Sequence, residues 1–307
     1  MAYPTDGILL IDKDEGEISY GVVRKVRRLL KVRKVGHAGT LDPFATGLLV
    51  ILLGHGTKLS NFIMGEIKTY LATIRLGVET DTMDPTGEVI RTSVVPDLSP
   101  EYIQEKAQGF SGDIEQVPPA YSAVKYRGTR AYKLARRGVK VDLPKRRVTI
   151  HSMRVLSVEL PDIALEVSCS SGTYIRALAS DLGRELGPGG HLRSLRRVAS
   201  GSFEAKNALS SRELSVARGP SFVREKVIPL RAALPGMREI EVQGPLADKV
   251  RQGYQPAWEE LFPSARFLRN EDEYYKLVRH GELVAIVKIK RSEDLDHVAL
   301  KIERVFS

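Results

Sequence analysis

Cysteine is nearly missing: Cys169 is the only one in 307 residues. No internal disulfide, Cys-rich zinc cluster or C-x-x-C redox pair can be written, and a reducing cytoplasmic setting is expected. Long hydrophobic runs are missing too. The longest, Leu48 to Leu53, is far short of the ~20 residues of a membrane span. The patch Ile8 to Ile11 near the start is too short for a signal h-region, so a soluble, untargeted chain without membrane contact is expected. The six histidines, His37, His55, His151, His191, His280 and His297, lack the i, i+4 spacing and acidic neighbours of a zinc site. No G-x-S-x-G elbow occurs, and Asp81, Asp84 and Gly87 miss the spacing of a calcium loop. Gly56-Thr57-Lys58 reverses the ending of a phosphate loop. Neither metal nor cofactor is expected.

Acidic residues are also in deficit, 38 against 47 Lys and Arg, a formal charge of +9 that favours a polyanionic partner without identifying it. The 42% hydrophobic and 28% charged residues are ordinary globular usage, and the length suits one large domain, or a large and a small one. Gly7 to Asp12 reads as a strand. A helix follows, with Ser19 as its N-cap and Val22, Val23, Val26, Leu29 and Leu30 on one face. Its other face and exit, Arg24, Lys25, Arg27, Arg28, Lys31, Arg33 and Lys34, are densely basic; alone, such a stretch is a solvated helix face. Leu48 to Leu53 suits a buried strand, and Lys68 to Gly77 alternates with Tyr70, Ala72, Ile74 and Leu76 on one side. Pro100 to Phe110 and Tyr174 to Leu186 read as helices, Glu88 to Ile90 and Ala164 to Ser168 as strands. Lys125 to Arg147 carries ten basic residues, one acid and little apolar content, suggesting an arm that stands off the core. The prolines between Arg218 and Gly236, followed by short strands at Glu239 to Val242, Leu283 to Lys288 and Val298 to Ile302, place a domain boundary near residue 235.

The most informative run is Gly36-His37-Ala38-Gly39-Thr40-Leu41-Asp42-Pro43-Phe44-Ala45-Thr46-Gly47, between the basic helix and the buried strand. Close glycines let backbone approach a ligand, and Asp42 before Pro43 is biased to an extended conformation. An isolated Asp-Pro pair is a turn starter. The full run, GHAGTLDP followed by ATGLL, closely resembles the catalytic loop of the bacterial tRNA pseudouridine-55 synthases, the TruB family, in which the Asp is the nucleophile. Lys68-Thr69-Tyr70 with Thr80-Asp81-Thr82 and Asp84 resembles that family's second motif, whose Tyr packs on the target base. Gln116 to Ala123 with Lys125, Gly128 and Arg130 resembles the segment entering its RNA-gripping thumb. Ser171 to Arg176 resembles the motif whose Tyr and Arg flank the nucleophile, here Tyr174 and Arg176. Leu192 to Arg197 resembles the one whose Leu, here Leu195, touches substrate. The tail, quotable through Gly281 to Ile286, resembles the small PUA barrel. One stretch departs: where the family has Lys-Pro, Gly and Thr-Ser, this chain reads Lys13-Asp14-Glu15-Gly16-Glu17-Ile18-Ser19, outside the catalytic loop.

The resemblance implies conversion of uridine to pseudouridine, breaking the bond from ribose to ring nitrogen and remaking it to carbon 5 without redox change or added group. A carboxylate can serve as nucleophile or stabilise an electron-poor ribose carbon. Addition of Asp42 to the sugar, addition to the base, and abstraction of a sugar proton all remain open. The resemblance makes Asp42, Tyr70 and Arg176 the catalytic set, with Arg176 keeping the carboxylate ionised and aimed. His37 would fill the gap left by the flipped base, while Tyr174, Leu195, Asp84 and Lys125 would complete the substrate side. Arg130, Lys133, Arg137 and Arg197 would meet the RNA backbone. Both basic stretches suit phosphate contacts that fix position without reading sequence. The expected architecture is α+β: a mixed central sheet with flanking helices (1–234, thumb at about 122–147) and a PUA-like β-barrel (235–307). The expected partner is tRNA, held by its T arm and, through the tail, its acceptor stem, with the protein a monomer. Guide-RNA-dependent relatives that modify ribosomal RNA share the loop and tail but lack a long thumb; an RNA chaperone is the rival of another class.

Overall fold

Strands whose apolar residues run continuously or alternate form the frame on which the Gly36–Gly47 loop is mounted. The computed structural model describes residues 5–214, 219–262, 273–291 and 298–306; His297 and the Arg218 edge of the inter-domain stretch lie outside them. β1 (Gly7–Lys13) is buried along almost its whole length, as expected of an apolar strand covered on both faces. α1 (Ser19–Leu30) buries Val22, Val23, Val26 and Leu30 at helical spacing. β2 (Val35–His37) and β3 (Thr46–Leu53) flank the loop. After α2 (Ser60–Gly65), β4 (Lys68–Leu76) buries every second residue from Lys68 onward, so its period of two faces Tyr70, Ala72, Ile74 and Leu76 inward. β5 (Val78–Thr80) and β6 (Val89–Thr92) pair around residues 81–88. α3 (Pro100–Gln108) starts at Ser99, whose hydroxyl accepts from Tyr102 N at 3.2 Å, and β7 (Gly112–Gln116) follows.

The basic arm folds as a hairpin, β8 (Lys125–Tyr126) and β9 (Thr129–Arg130), leading into α4 (Ala131–Ala135). Its two turn residues, Arg127 and Gly128, both have positive φ, 47° and 83°, the twist that two-residue hairpins favour. The long β10 (Arg146–Glu159) and β11 (Asp162–Cys169) lead to α5 (Ile175–Glu185) and β12 (Gly190–Ser200), followed by β13 (Phe203–Glu204), β14 (Leu209–Ser210) and α6 (Gly219–Glu225). The large sheet runs β14-β1-β3-β12-β4-β11-β10-β7, with β2 added to β3 and β13 to β12. It is a mixed sheet: β1–β14 and β3–β12 are parallel pairs. The registers Arg197↔Gly47 and Arg197↔Tyr70 put Gly47, Arg197 and Tyr70 in one row across three strands at the root of the loop.

One face of this sheet, with Leu9, Ile11, Leu49, Ile51 and Tyr70, is covered by α1, α3 and α5. The other face, with Ile8, Leu10, Leu48, Val50 and Leu52, shares its apolar layer with Val278, Leu283, Ile286 and Phe306 of the tail. The tail contains β15 (Arg238–Glu241), α7 (Gly244–Arg251), α8 (Trp258–Leu261), β16 (Tyr274–Arg279), β17 (Glu282–Arg291) and β18 (Val298–Val305). Where a PUA-like barrel is expected, the described residues form a four-stranded sheet, β15-β16-β17-β18. It has its own core around Val250, Tyr275, Leu277 and Val287. It is joined to the main sheet by an edge-to-face pair, Phe62 and Tyr274, with centroids 5.2 Å apart, and by Lys58 Nζ donating to Val305 O at 2.7 Å. Among the described residues no helix is long and apolar enough to cross a membrane.

Ser19 does not cap α1. The residue before the helix is Ile18, in extended conformation and without a side-chain cap. Ser19 is buried instead, its hydroxyl accepting from Leu41 N and donating to Leu41 O, both at 2.9 Å.

Candidate active site

Asp42 lies in the turn between β2 and β3, with Ala45 N donating to Asp42 O at 3.1 Å. Buried neighbours on both sides, Leu41, Phe44 and Ala45, root the turn in the core, leaving the carboxylate about 36% exposed at the rim. The backbone around Asp42 is gripped from outside the loop. Ser19 satisfies both polar groups of Leu41, while Gly16 N (2.8 Å) and Lys13 Nζ (3.2 Å) donate to Pro43 O. The 13–19 departure, remote from the loop in sequence, is therefore its direct support. Lys13 is fully buried and also donates to Asp14 O and Glu17 O. Burial lowers its pKa, opposed by the carboxylates of Glu17, Asp42, Asp14 and Glu15.

Arg176 enters from the first turn of α5 and is buried. Its Nε lies 2.9 Å from Asp42 Oδ2, an ion pair that is not aligned as a hydrogen bond. Nη1 donates to Thr82 O (3.0 Å) and lies 3.3 Å from Asp84 Oδ2; Nη2 donates to Tyr121 O (3.0 Å). The planar fork is thus held by three separate segments, which suits a guanidinium that must present one edge to a carboxylate. Asp84 is aimed in turn: its Oδ1 accepts from Thr82 Oγ1 (2.7 Å), Thr86 N (2.9 Å) and Thr86 Oγ1 (2.6 Å). Tyr121, at the root of the arm, donates its hydroxyl to Asp81 Oδ2 at 2.9 Å.

Desolvation raises the Asp42 pKa above its ordinary 3.8, the Arg176 guanidinium pulls it down, Asp84 pushes it up, and Lys13 lowers it further. The result is a carboxylate more basic than a solvated one, a useful property in a nucleophile or base. Tyr70 is buried at 9% exposure, and its hydroxyl pKa is raised, chiefly by burial, so it stays protonated and able to donate.

Arg197 is not at the surface where the RNA-backbone expectation would put it. It is 1% exposed, with Nε donating to Leu48 O (2.7 Å) and Nη2 to Gly39 O (3.1 Å). Strand β12 buries it against two glycines of the loop, Gly39 and Gly47, because Gly47 (φ +99°) has no side chain: a Cβ there would lie 2.3 Å from Arg197 O. Arg197 thus stitches the loop to the sheet, and a phosphate could reach it only if those two bonds broke. Its charge also helps lower the pKa of His37, after burial, and that of Lys68, which burial brings to about 8.

The remaining candidates are spread out. His37, at the end of β2, is half-buried, and its Nδ1 has no partner among the described residues. Tyr174 is the half-buried N-cap of α5, clamped through its backbone by Gln116: Tyr174 N donates to Gln116 Oε1 (2.8 Å) and Gln116 Nε2 to Tyr174 O (3.0 Å). Leu195 is buried on β12 in the core. Lys125, Arg130, Lys133 and Arg137 are exposed on the arm, apart from the Asp42–Arg176–Asp84 group. Lys13, Ser19, Gln116 and Tyr121 are supports that sequence reasoning did not assign; a lysine followed by three acids within four residues was the signal available for Lys13.

Comparison with known proteins gives this geometry a family. Residues 27–175 match the model of the TruB family pseudouridylate synthase (N terminal domain), and residues 176–234 match that of the tRNA pseudouridylate synthase B C-terminal domain. The chain is 40% identical to the tRNA pseudouridine synthase B of Syntrophus aciditrophicus, over 98% of both chains. It is 50% identical to that of Chromohalobacter salexigens, over 66% of both. The fold is similar to that in a crystal structure of a Cbf5-Nop10-Gar1 complex, with TM-score 0.73, 24% identity, and coverage of 99% of this chain and 85% of the other.

Proposed function

The chain belongs to the TruB family of pseudouridylate synthases, and on that premise we propose that it isomerises the T-loop uridine of tRNA, position 55, with Asp42 as nucleophile. It is a tRNA pseudouridine synthase, an isomerase. The observation that carries the residue assignment is the buried Arg176 held 2.9 Å from the Asp42 carboxylate, with Asp84 behind it. That arrangement keeps an otherwise desolvated carboxylate charged at the moment of attack.

In this reading the uracil leaves the RNA stack, at a cost of a few kcal/mol offset within the pocket. Tyr70 stacks on it and Arg176 orients Asp42. His37 fills the vacated gap, while Tyr174, Leu195, Asp84 and Lys125 shape the substrate side. Arg130, Lys133 and Arg137 on the exposed arm meet T-arm phosphates, and the C-terminal sheet holds the acceptor stem. As part of the same proposal the enzyme works as a cytoplasmic monomer.

The test is to incubate pure protein with an unmodified tRNA transcript and map pseudouridine by position. One new pseudouridine in the T loop, lost in Asp42→Asn while tRNA binding stays within a few-fold, is the expected result. Near-normal activity of Asp42→Asn, or product only at another position, would overturn the assignment.

A further inference from the structure

We propose that the corner where α1 turns into β2 is a second RNA-backbone site, formed by Arg24, Arg27, Arg28, Lys31 and Arg33 and separate from both the catalytic cleft and the arm. It rests on the reading of the chain as an enzyme acting on tRNA and adds a place where the RNA is held.

The first observation is shape. Arg24, Arg27, Arg28 and Lys31 fall at i, i+3, i+4 and i+7, so they line one stripe of α1 opposite its buried valines. With Val32 and Arg33 they surround a recess of about 440 Å³. All five cations are exposed, and Val32 is the floor at 9% exposure. A recess lined by five cations and a single apolar residue is unlike a small-molecule pocket, which is mainly apolar with a few polar groups. It fits a run of phosphates.

The second observation is backbone conformation. Lys31 ends the helix at φ 53°, ψ 32°, left-handed geometry that non-glycine residues rarely adopt. That turn brings Arg33 back beside the stripe. A left-handed residue is a common way for a helix to end, and here it sets the direction in which Val32 and Arg33 leave α1.

The third observation is the absence of local neutralisation. Lys25, on the same helix, is paired with Glu17. Among the described residues no carboxylate lies within ion-pairing distance of Arg27, Arg28, Lys31 or Arg33, while Arg24 lies over the ring of Tyr20 at 5.9 Å. Like charges at i, i+4 destabilise a helix. Cations can complement a helix C-terminus, but Arg224 of α6 already donates to Leu30 O there at 3.1 Å. The five charges exceed what the fold requires, and a polyanion would complete them.

Position adds the last step. The first residue of α1, Ser19, is hydrogen-bonded to Leu41, next to Asp42. Twelve residues at about 1.5 Å per residue put the far end of the helix about 18 Å from the catalytic loop. An RNA hairpin with its loop over Asp42 reaches that distance with its stem, so stem phosphates are the occupant.

The test is Arg27→Glu/Arg28→Glu/Lys31→Glu, with Arg27→Gln/Arg28→Gln/Lys31→Gln as the milder companion. Binding of a T-arm hairpin is measured across a salt series, and single-turnover rates at saturating RNA. Each lost phosphate contact removes about 0.7 to 0.9 from the slope of log K against log salt, so a slope shallower by about 2 to 3 is expected in the charge reversal. Rates at saturation should stay within two-fold, and thermal unfolding should show both variants folded. An unchanged slope with wild-type activity intact would overturn this site while leaving the proposed function standing; an inactive wild type would count against the function itself. Inorganic phosphate is the remaining arm. If it binds the recess while neither variant changes hairpin affinity, the site is one for free anions and the proposal is wrong.

Discussion

The Ser19 hydroxyl closes both backbone hydrogen bonds of Leu41, at 2.9 Å each, and so fixes the residue immediately before Asp42 from the first turn of α1. A residue 22 positions away does for this turn what secondary structure does elsewhere, supplying partners to a buried N–H and C=O.

Ser19→Ala leaves those two buried groups unpaired, which costs about 1 to 3 kcal/mol for each such group. The expected outcome is a lower melting temperature together with a drop in kcat larger than any change in KM, because the turn loosens while the exposed basic arm is untouched. Steady-state kinetics with calorimetry checks it; an unaltered kcat would show that the bridge does not position Asp42.

The pH profile should report Asp42. Its pKa is raised by burial, against the pull of Arg176, and in the proposed function the ionised form is the one that reacts. Single-turnover rates should therefore fall on acidification through a pKa above 3.8. Arg176→Gln removes the opposing cation while the desolvation and Asp84 remain, so its acid limb should move to higher pH. A limb at the same or lower pH in the variant would contradict the assigned role.

Arg197 and the arm should separate cleanly. Arg197→Met unmakes bonds to Leu48 O and Gly39 O inside the sheet, and such buried charge-assisted bonds contribute about 1.5 to 3 kcal/mol each. Stability should fall with the salt dependence of tRNA binding unaltered. Charge reversal at Arg130, Lys133 and Arg137 should do the opposite, flattening the salt slope while thermal unfolding stays near wild type.

The tail also makes a prediction about folding. Phe306, 3% exposed, packs in the layer shared with Ile8, Leu48 and Leu52. Phe306→Ala should cost about 3 to 5 kcal/mol, as buried Phe truncations do. Deleting 236–307 should uncover that face and promote aggregation, measurable by dye binding and light scattering. A monomeric deletion variant with wild-type melting would show that the main sheet does not need its cover.

What the sequence determined by itself was whatever depends on neighbours along the chain. The alternation of β4 placed Tyr70 inward, the 3.6-residue spacing of α1 separated its valines from its cations, and Asp42-Pro43 between close glycines marked the loop. Backbone geometry and burial periodicity are local rules, legible without coordinates. Tertiary structure decided whatever depends on which distant groups need a partner. Arg197, on an exposed-looking basic run, is interior because carbonyls 149 and 158 residues earlier in the chain accept from it. Ser19 left its capping role for Leu41, and the Lys13–Glu17 departure became the prop of Pro43. Among its described residues the tail is a four-stranded sheet, one apolar side of which meets the main sheet. Buried polar groups and apolar faces must be satisfied by whatever the fold brings near, and that is a property of the packed chain.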